Sequence, residues 1–430
     1  MSSARFLFGS LGNYDNVVVV KDDTVGHHLL VQRKDKCATM DGHIRFGWRM
    51  YFVMKRKMKK IGYFFKKDAV LSIALLLAVI SAFIVKPGFE YFSYIDYRVL
   101  VLLFSLMLVV GGFKSLGVFR ILGEKLCRNV NSLRGLILVL ICLCFFSSML
   151  ITNDVALITF VPFTISVFVM IACENKLIPV IVLETIAANL GSMLTPIGNP
   201  QNLLLFSAGE MAVGEFILHM LPVTMMSFFM ILICILLLKN QSICIEMKEE
   251  TQEPIIKKKE FWIYVFLFLV CMGNVFHLYS YWIVGVLVVC VVFAVNKKLF
   301  SEADYSLLLT FTGFFIFIGN MKQIDAINQW ILDIITGNEL MIGILASQVI
   351  SNVPAAMLLS GFTNDFKELL YGVNIGGLGT LIASMASLIS YRFYGKAYPE
   401  RKQEYFKQFT VCNVILLAVL VAFTVILKMV

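Results

Sequence analysis

Charge is scarce in this 430-residue chain: Asp, Glu, Lys and Arg make up 15% of it, hydrophobic residues 59%, and mean hydropathy is +0.84. Soluble domains carry about 25% charged residues, so a water-soluble globular domain is excluded. The ten cysteines form no CxxC pair and are scattered through apolar runs. There a thiol acts as a small hydrophobe, and neither disulfides nor a metal cluster are expected. No GxSxG, HExxH or paired-Asp signature is present, which argues against an enzyme. No nucleotide-binding motif appears, so ATP is not the expected driver. A basic, aromatic-laced motif is also missing, which argues against nucleic acid as a partner; the net charge of +9 reads instead as loop topology. There is no early apolar stretch of the secretory kind.

What the chain does have is long apolar runs. Roughly 20 helical residues cross a hydrocarbon core of about 30 Å. These runs are continuous rather than alternating, which favours helices over a barrel. The expected fold is an all-α polytopic membrane protein. Residues 1–53 read as a polar N-terminal extension in which His27, His28, Cys37 and His43 match no zinc spacing. The basic "MKRKMKKIGYFFKKD" from Met54 reads as the start of the functional chain, the preceding residues then being a start-site artefact; native peptides from residues 1–40 in mass spectra would contradict this. Residues 54–238 form the first membrane half, with a first repeat over about 96–238. Residues 239–260 form a cytoplasmic linker. Residues 261–430 form the second half, with a second repeat over about 304–430.

The repeat rests on three matches in the same order. "DYRVLVLLF" from Asp96 pairs with "DYSLLLTFT" from Asp304, and "TNDVA" from Thr152 with "SNVPA" from Ser351. "NLGSMLTPIGNPQN" (Asn189–Asn202) pairs with "NIGGLGTLIASMAS" (Asn374–Ser387), with identities at Asn189/Asn374, Gly191/Gly376, Thr195/Thr380 and Ile197/Ile382. The segments around Asn153 and around Asn352 are joined by "TND" and "SNV" with no loop between them and read as too short to cross alone, so each pair is expected to be a re-entrant hairpin whose tip stops inside the membrane. Basic residues cluster before the first span, between Lys114 and Arg134, in the linker, at Lys297–Lys298 and from Arg392 to Lys407. Placing these loops in the cytoplasm gives the two repeats opposite orientations. Interrupted apolar segments at matching positions of inverted repeats point to a transporter's binding site.

The chemistry follows from the breaks. Thr152 or Asn153 is expected to cap the helix after the first tip, and Ser351 or Asn352 the one begun near Pro354. Two helix N-termini facing the midplane would hold an anion without arginine; no Lys or Arg lies between Lys176 and Lys239. Carbonyls freed around Thr195–Pro196 and Thr380 could take Na⁺. Asp154 has Val353 as its counterpart. A carboxylate in the membrane is a functional candidate, as proton carrier or cation ligand; the alternative is a helix-capping Asp. Glu184 is either a second coupling site or a hydrogen-bonded packing group. Asp96 and Asp304 are expected to complement helix dipoles.

These motifs resemble the ion transporter superfamily, which includes divalent anion:sodium symporters, citrate transporters, arsenite permeases and D-type sodium/proton antiporters. "TNDVA" and "SNVPA" are similar to its paired hairpin signatures, and "GSMLTPIGNPQN" to its broken-helix motif, over roughly Asp96 to Tyr391. The resemblance implies an elevator-type homodimer in the cytoplasmic membrane that moves a small anion with Na⁺ or H⁺ and carries no cofactor. It places Thr152, Asn153, Ser351 and Asn352 at substrate and cation. Thr195, Gly198, Asn199, Pro200, Asn202, Thr380 and Ser384 would line the breaks. Asp154 and Val353 stand where the dicarboxylate branch has Ser or Thr, and an Asn-Asp pair is closer to the arsenite-permease and antiporter branch, in which Asp154 would trade a proton for cargo. A channel is the reading from another class.

Overall fold

The computed structural model describes residues 18–20, 30–33, 36–37, 69–127, 130–243 and 258–429. Its contacts divide the chain into Met1–Ala69 and Val70–Val430. In the first unit, strands β1 (Val18–Val20), β2 (Leu30–Arg33) and β3 (Lys36–Cys37) pair antiparallel in the order β1-β2-β3. The Val-rich run supplies the β-branched residues such a ladder favours. The rest of the extension, the basic run from Met54 and residues 244–257 of the linker lie outside the described residues.

From residue 69 the described chain is built of helices. In the first half they are α1 (Ala69–Ile84), α2 (Tyr97–Ser115), α3 (Val118–Cys127), α4 (Leu133–Ile151), α5 (Asn153–Met170), α6 (Leu177–Ser192), α7 (Pro200–Ala208) and α8 (Val213–Leu237). After the linker come α9 (Lys258–Val275), α10 (Tyr281–Val295), the single turn α11 (Leu299–Glu302), α12 (Tyr305–Lys322), α13 (Asp325–Ile335), α14 (Glu339–Ile350), α15 (Asn352–Ser360), α16 (Phe366–Ile375), α17 (Met385–Ala397) and α18 (Lys402–Met429). Large apolar side chains such as Leu76, Leu237, Val286 and Ile415 stand exposed on α1, α8, α10 and α18, the expected surface of a protein solvated by lipid. Asp96 and Asp304 do begin helices as read from the sequence: each carboxylate accepts from the N–H three residues on, Val99 or Leu307, at 3.1 Å.

The two hairpins differ in reach. Helices α4 and α5 have 19 and 18 residues and are long and apolar enough to cross a membrane. The expectation that the first pair is too short to cross is therefore corrected. The sequence shows only that no loop separates the two helices, and says little about where each far end stops. In the second pair α14 and α15 have 12 and 9 residues, about 18 and 14 Å at 1.5 Å per residue, which is too short. Helix α13 meets α14 at 106°, at a corner where Gly337 takes φ +80°.

Both broken helices form. Helix α6 stops at Ser192 and α7 starts at Pro200, with Pro196 also in the gap; neither proline can donate a helical N–H. Helix α16 stops at Ile375 and α17 starts at Met385, with Gly379 at φ +101° between them. Two glycines set how closely these helices approach the hairpins. A Cβ on Gly191 would collide with the Phe145 carbonyl and the Ser148 hydroxyl. A Cβ on Gly376 would come within 2.9 Å of Ile344 Cα and Ser347 Cβ. Phe145 and Ile344 stand equally far before their hairpin tips, as do Ser148 and Ser347, so both halves build the same contact.

Candidate functional site

Each hairpin turns on one residue whose backbone a side chain rarely adopts. Thr152 has φ +70°, ψ 150°, and Ser351 has φ +76°, ψ 152°. This region is essentially glycine's, and a residue held there stores about 1–3 kcal/mol that the surroundings must offset. The restraints are the same at both tips. The N–H of Asn153 donates to the Gly198 carbonyl at 3.3 Å, and that of Asn352 to the Ala383 carbonyl at 2.9 Å. The Thr195 hydroxyl donates to the Met149 carbonyl at 2.5 Å, and the Thr380 hydroxyl to the Gln348 carbonyl at 3.0 Å. Gly198 pairs with Ala383 in the repeat alignment, and Thr195 with Thr380. Met149 and Gln348 each stand four residues before their tip asparagine. Each tip is thus clamped onto the break of its own half.

Neither hydroxyl caps its helix; Thr152 and Ser351 make no side-chain cap bond. The asparagines act instead, Asn153 Oδ1 accepting from the Asp154 N–H at 3.0 Å and Asn352 Oδ1 from the Val353 N–H at 2.9 Å. This corrects the picture of two open helix N-termini. In α15 the first N–H goes to Ala383, the second to Asn352 Oδ1, and the third residue, Pro354, has none; the next, Ala355, donates to Ser351. The dipole remains but the donors are engaged. In α5 the first two N–H groups are engaged in the same way, and Val155 stands where the second hairpin has proline.

Between the tips lies a buried amide network that crosses from one half to the other. Asn153 Nδ2 donates to Asn189 Oδ1 at 3.0 Å, which also accepts from the Ser384 hydroxyl at 3.0 Å. Asn189 Nδ2 reaches the Ser387 hydroxyl at 3.5 Å. Asn374 Nδ2 donates to Asn202 Oδ1 at 2.7 Å, and Asn199 Nδ2 donates to Asn374 Oδ1 at 3.1 Å. Asn199 also caps α7 through the Asn202 N–H at 2.9 Å. Asn202 Nδ2 sits 3.0–3.3 Å from the carbonyls of Ser192, Met193 and Thr195. The carbonyls around Thr195, expected to be free for Na⁺, are therefore bonded to an amide of the chain itself.

Thr152, Asn153, Thr195, Gly198, Asn199, Asn202, Ser351, Asn352 and Ser384 are brought together in this way. Pro200 is buried as the first residue of α7, and Thr380 is exposed at the rim. Asp154 lies in the first turn of α5, half-buried, and its Oδ1 is buried with no hydrogen-bond partner. Glu184 is apart from the tips. It bonds Thr164, eleven residues into α5 from Asn153, about 16 Å of helix rise. Sequence reasoning missed Asn189, Asn374, Ser192, Ser387 and Gln348 as site residues. Asn189 and Asn374 head the repeat alignment, a signal that could have promoted them. Gln348, which donates to the Gly376 and Leu378 carbonyls at 2.8 and 2.9 Å, has methionine as its counterpart and left no such signal.

Residues 50–363 match the family profile described as citrate transporter, CitMHS. An uncharacterized transporter of Methanocaldococcus jannaschii is 35% identical over 327 residues, 75% of this chain and 87% of that protein. The inner membrane protein YbiR of Escherichia coli is 31% identical over 69% of this chain and 80% of its own length. A rice protein, silicon efflux transporter LSI3, is 34% identical over 35% of this chain and 30% of its own length. With the fold and the paired breaks, these likenesses show what the chain is: a polytopic membrane transporter belonging to the citrate transporter family.

Proposed function

We propose that the chain moves a small oxyacid or its anion across the cytoplasmic membrane, coupled to H⁺ through Asp154, with the cargo held between the two hairpin tips. The observation that carries this reading is the donor accounting. The tip network is made of amides and hydroxyls, no lysine or arginine takes part in it, and the second tip's first-turn N–H groups are engaged. Asp154 adds a carboxyl oxygen with no partner. A multiply charged anion would find few free donors and a like charge nearby. A neutral or weakly acidic oxyacid can both donate to Asp154 and accept from the amides. The rice relative's name, a silicon efflux transporter, is in keeping with such cargo. The opposed charge patterns of the two halves support inverted repeats and alternating access by movement of the hairpin domain, in a homodimer as the resemblance implies.

A second reading, Na⁺-coupled uptake of a carboxylate, is favoured by the family description. Proteoliposome flux of citrate, succinate, sulfate, arsenite and silicic acid, under separate Na⁺ and pH gradients, separates the two. Arsenite or silicic acid moving with the pH gradient is the expected result. Carboxylate or sulfate uptake driven by inward Na⁺ overturns the first reading in favour of the second.

A further inference from the structure

Deep in the helix bundle, away from the tips, a carboxyl sits with no cation to answer it. Glu184 of α6 is fully buried. Its Oε1 accepts from the Thr164 hydroxyl of α5 at 2.5 Å, while its Oε2 is buried and has no hydrogen-bond partner. None of the ion pairs among the described residues includes it. The titratable groups facing it are the thiols of Cys127 on α3 and Cys144 on α4 and the phenol of Tyr405 on α18, all buried. The Tyr405 hydroxyl is itself buried. Helices α8, α16 and α17 also pack on α6, and none contributes an electrostatic partner to the carboxyl.

A lone carboxylate in such surroundings is far costlier than a neutral acid, and a group so placed takes a proton instead of a partner. The single bond to Thr164 suits the neutral form: the hydroxyl donates to the acid's carbonyl oxygen, and the other oxygen carries the proton. A hard metal cation would want six or more oxygens; the carboxyl and the Thr164 hydroxyl offer three. We infer that Glu184 is a proton-binding site separate from Asp154, loaded in this conformation. Its proton leaves only when the packing of α6 on α5 or α18 opens. In that step the Oε2–H bond breaks, the proton passes to water admitted at the opening, and the carboxylate keeps the Thr164 hydroxyl as its donor. Loading stands on geometry alone; the release step rests on the proton-coupled reading above.

The test uses the full chain in liposomes. Infrared difference spectra should show the C=O stretch of a neutral carboxylic acid at neutral pH. Glu184→Gln should remove that band, Asp154→Asn should leave it, and Thr164→Val should shift it by taking away the donor to its carbonyl oxygen. A band that survives Glu184→Gln, or stays in place in Thr164→Val should the Gln variant not fold, overturns the assignment. In flux measurements Glu184→Gln should remove one titration step from the pH profile and leave any Na⁺ dependence intact. A wild-type pH profile overturns the release step, and lost Na⁺ dependence with an unchanged pH profile overturns the choice of proton over metal cation. If none of the cargoes tried is moved, the infrared band still decides whether Glu184 is loaded.

Discussion

The two hairpin tips are built alike and equipped differently. Both carry a strained hydroxyl residue, an asparagine whose N–H is tied to the break of its own half, and a threonine clamp from that break. Yet the first tip has Asp154 where the second has Val353, and Val155 where the second has Pro354. Asn153 also reaches Asn189, whereas Asn352 is used to cap Val353. Opposite them, Asn199 and Asn202 of the first break match Ser384 and Ser387 of the second. What is shared is the scaffold that holds two turns in an unfavourable backbone. What differs is the chemistry: the ionisable group and most of the amides belong to the first half. On the proposed reading, the second tip serves chiefly as the wall against which cargo is held.

Substitutions can break this comparison, the largest effects first. Asn153→Ala removes a bond to Asn189 and the Asp154 cap together, and should lower flux on the order of a hundredfold. Asn352→Ala removes one cap and should cost about tenfold, each bond being worth about 1.4 kcal/mol. Equal losses with normal insertion would erase the proposed asymmetry. Gly191→Ala and Gly376→Ala probe the shared scaffold. Both should destabilise the protein by about 1–3 kcal/mol, because backbone atoms block the new methyl. Thermal unfolding in detergent would show it, and a neutral result at one site would mean that the halves pack differently. Thr152→Gly and Ser351→Gly should each raise stability slightly, by about 1 kcal/mol or less, since relief of strain is partly cancelled by glycine's entropy. A loss at either position would show that the hydroxyl contributes more than the turn costs.

Much of this arrangement was legible in the sequence. Asn153, Asn352 and the Asn189–Asn202 and Asn374–Ser387 stretches announce the breaks because amides, prolines and glycines have no reason to interrupt a lipid-soluble helix. Asp96 and Asp304 announce helix starts because a cap depends only on residues three apart. The destinations of the tip N–H groups were not legible. Gly198 and Ala383 contribute carbonyls, and any residue type could. Nor could the sequence show that Asn374 would bond residues of the other half, or that Gln348 would hold the second break, since both depend on tertiary placement. The length of the first hairpin was misread because an apolar run shows where a helix can lie in lipid but not how far it crosses.

The central claim is that the carboxyl present at one tip alone ties cargo movement to protons. Its most direct test is counterflow and pH-gradient-driven flux of arsenite or silicic acid in proteoliposomes, comparing the wild type with Asp154→Asn. The account predicts that the variant still exchanges cargo across the membrane but no longer responds to the pH gradient. A variant that keeps the wild-type response to pH would contradict it.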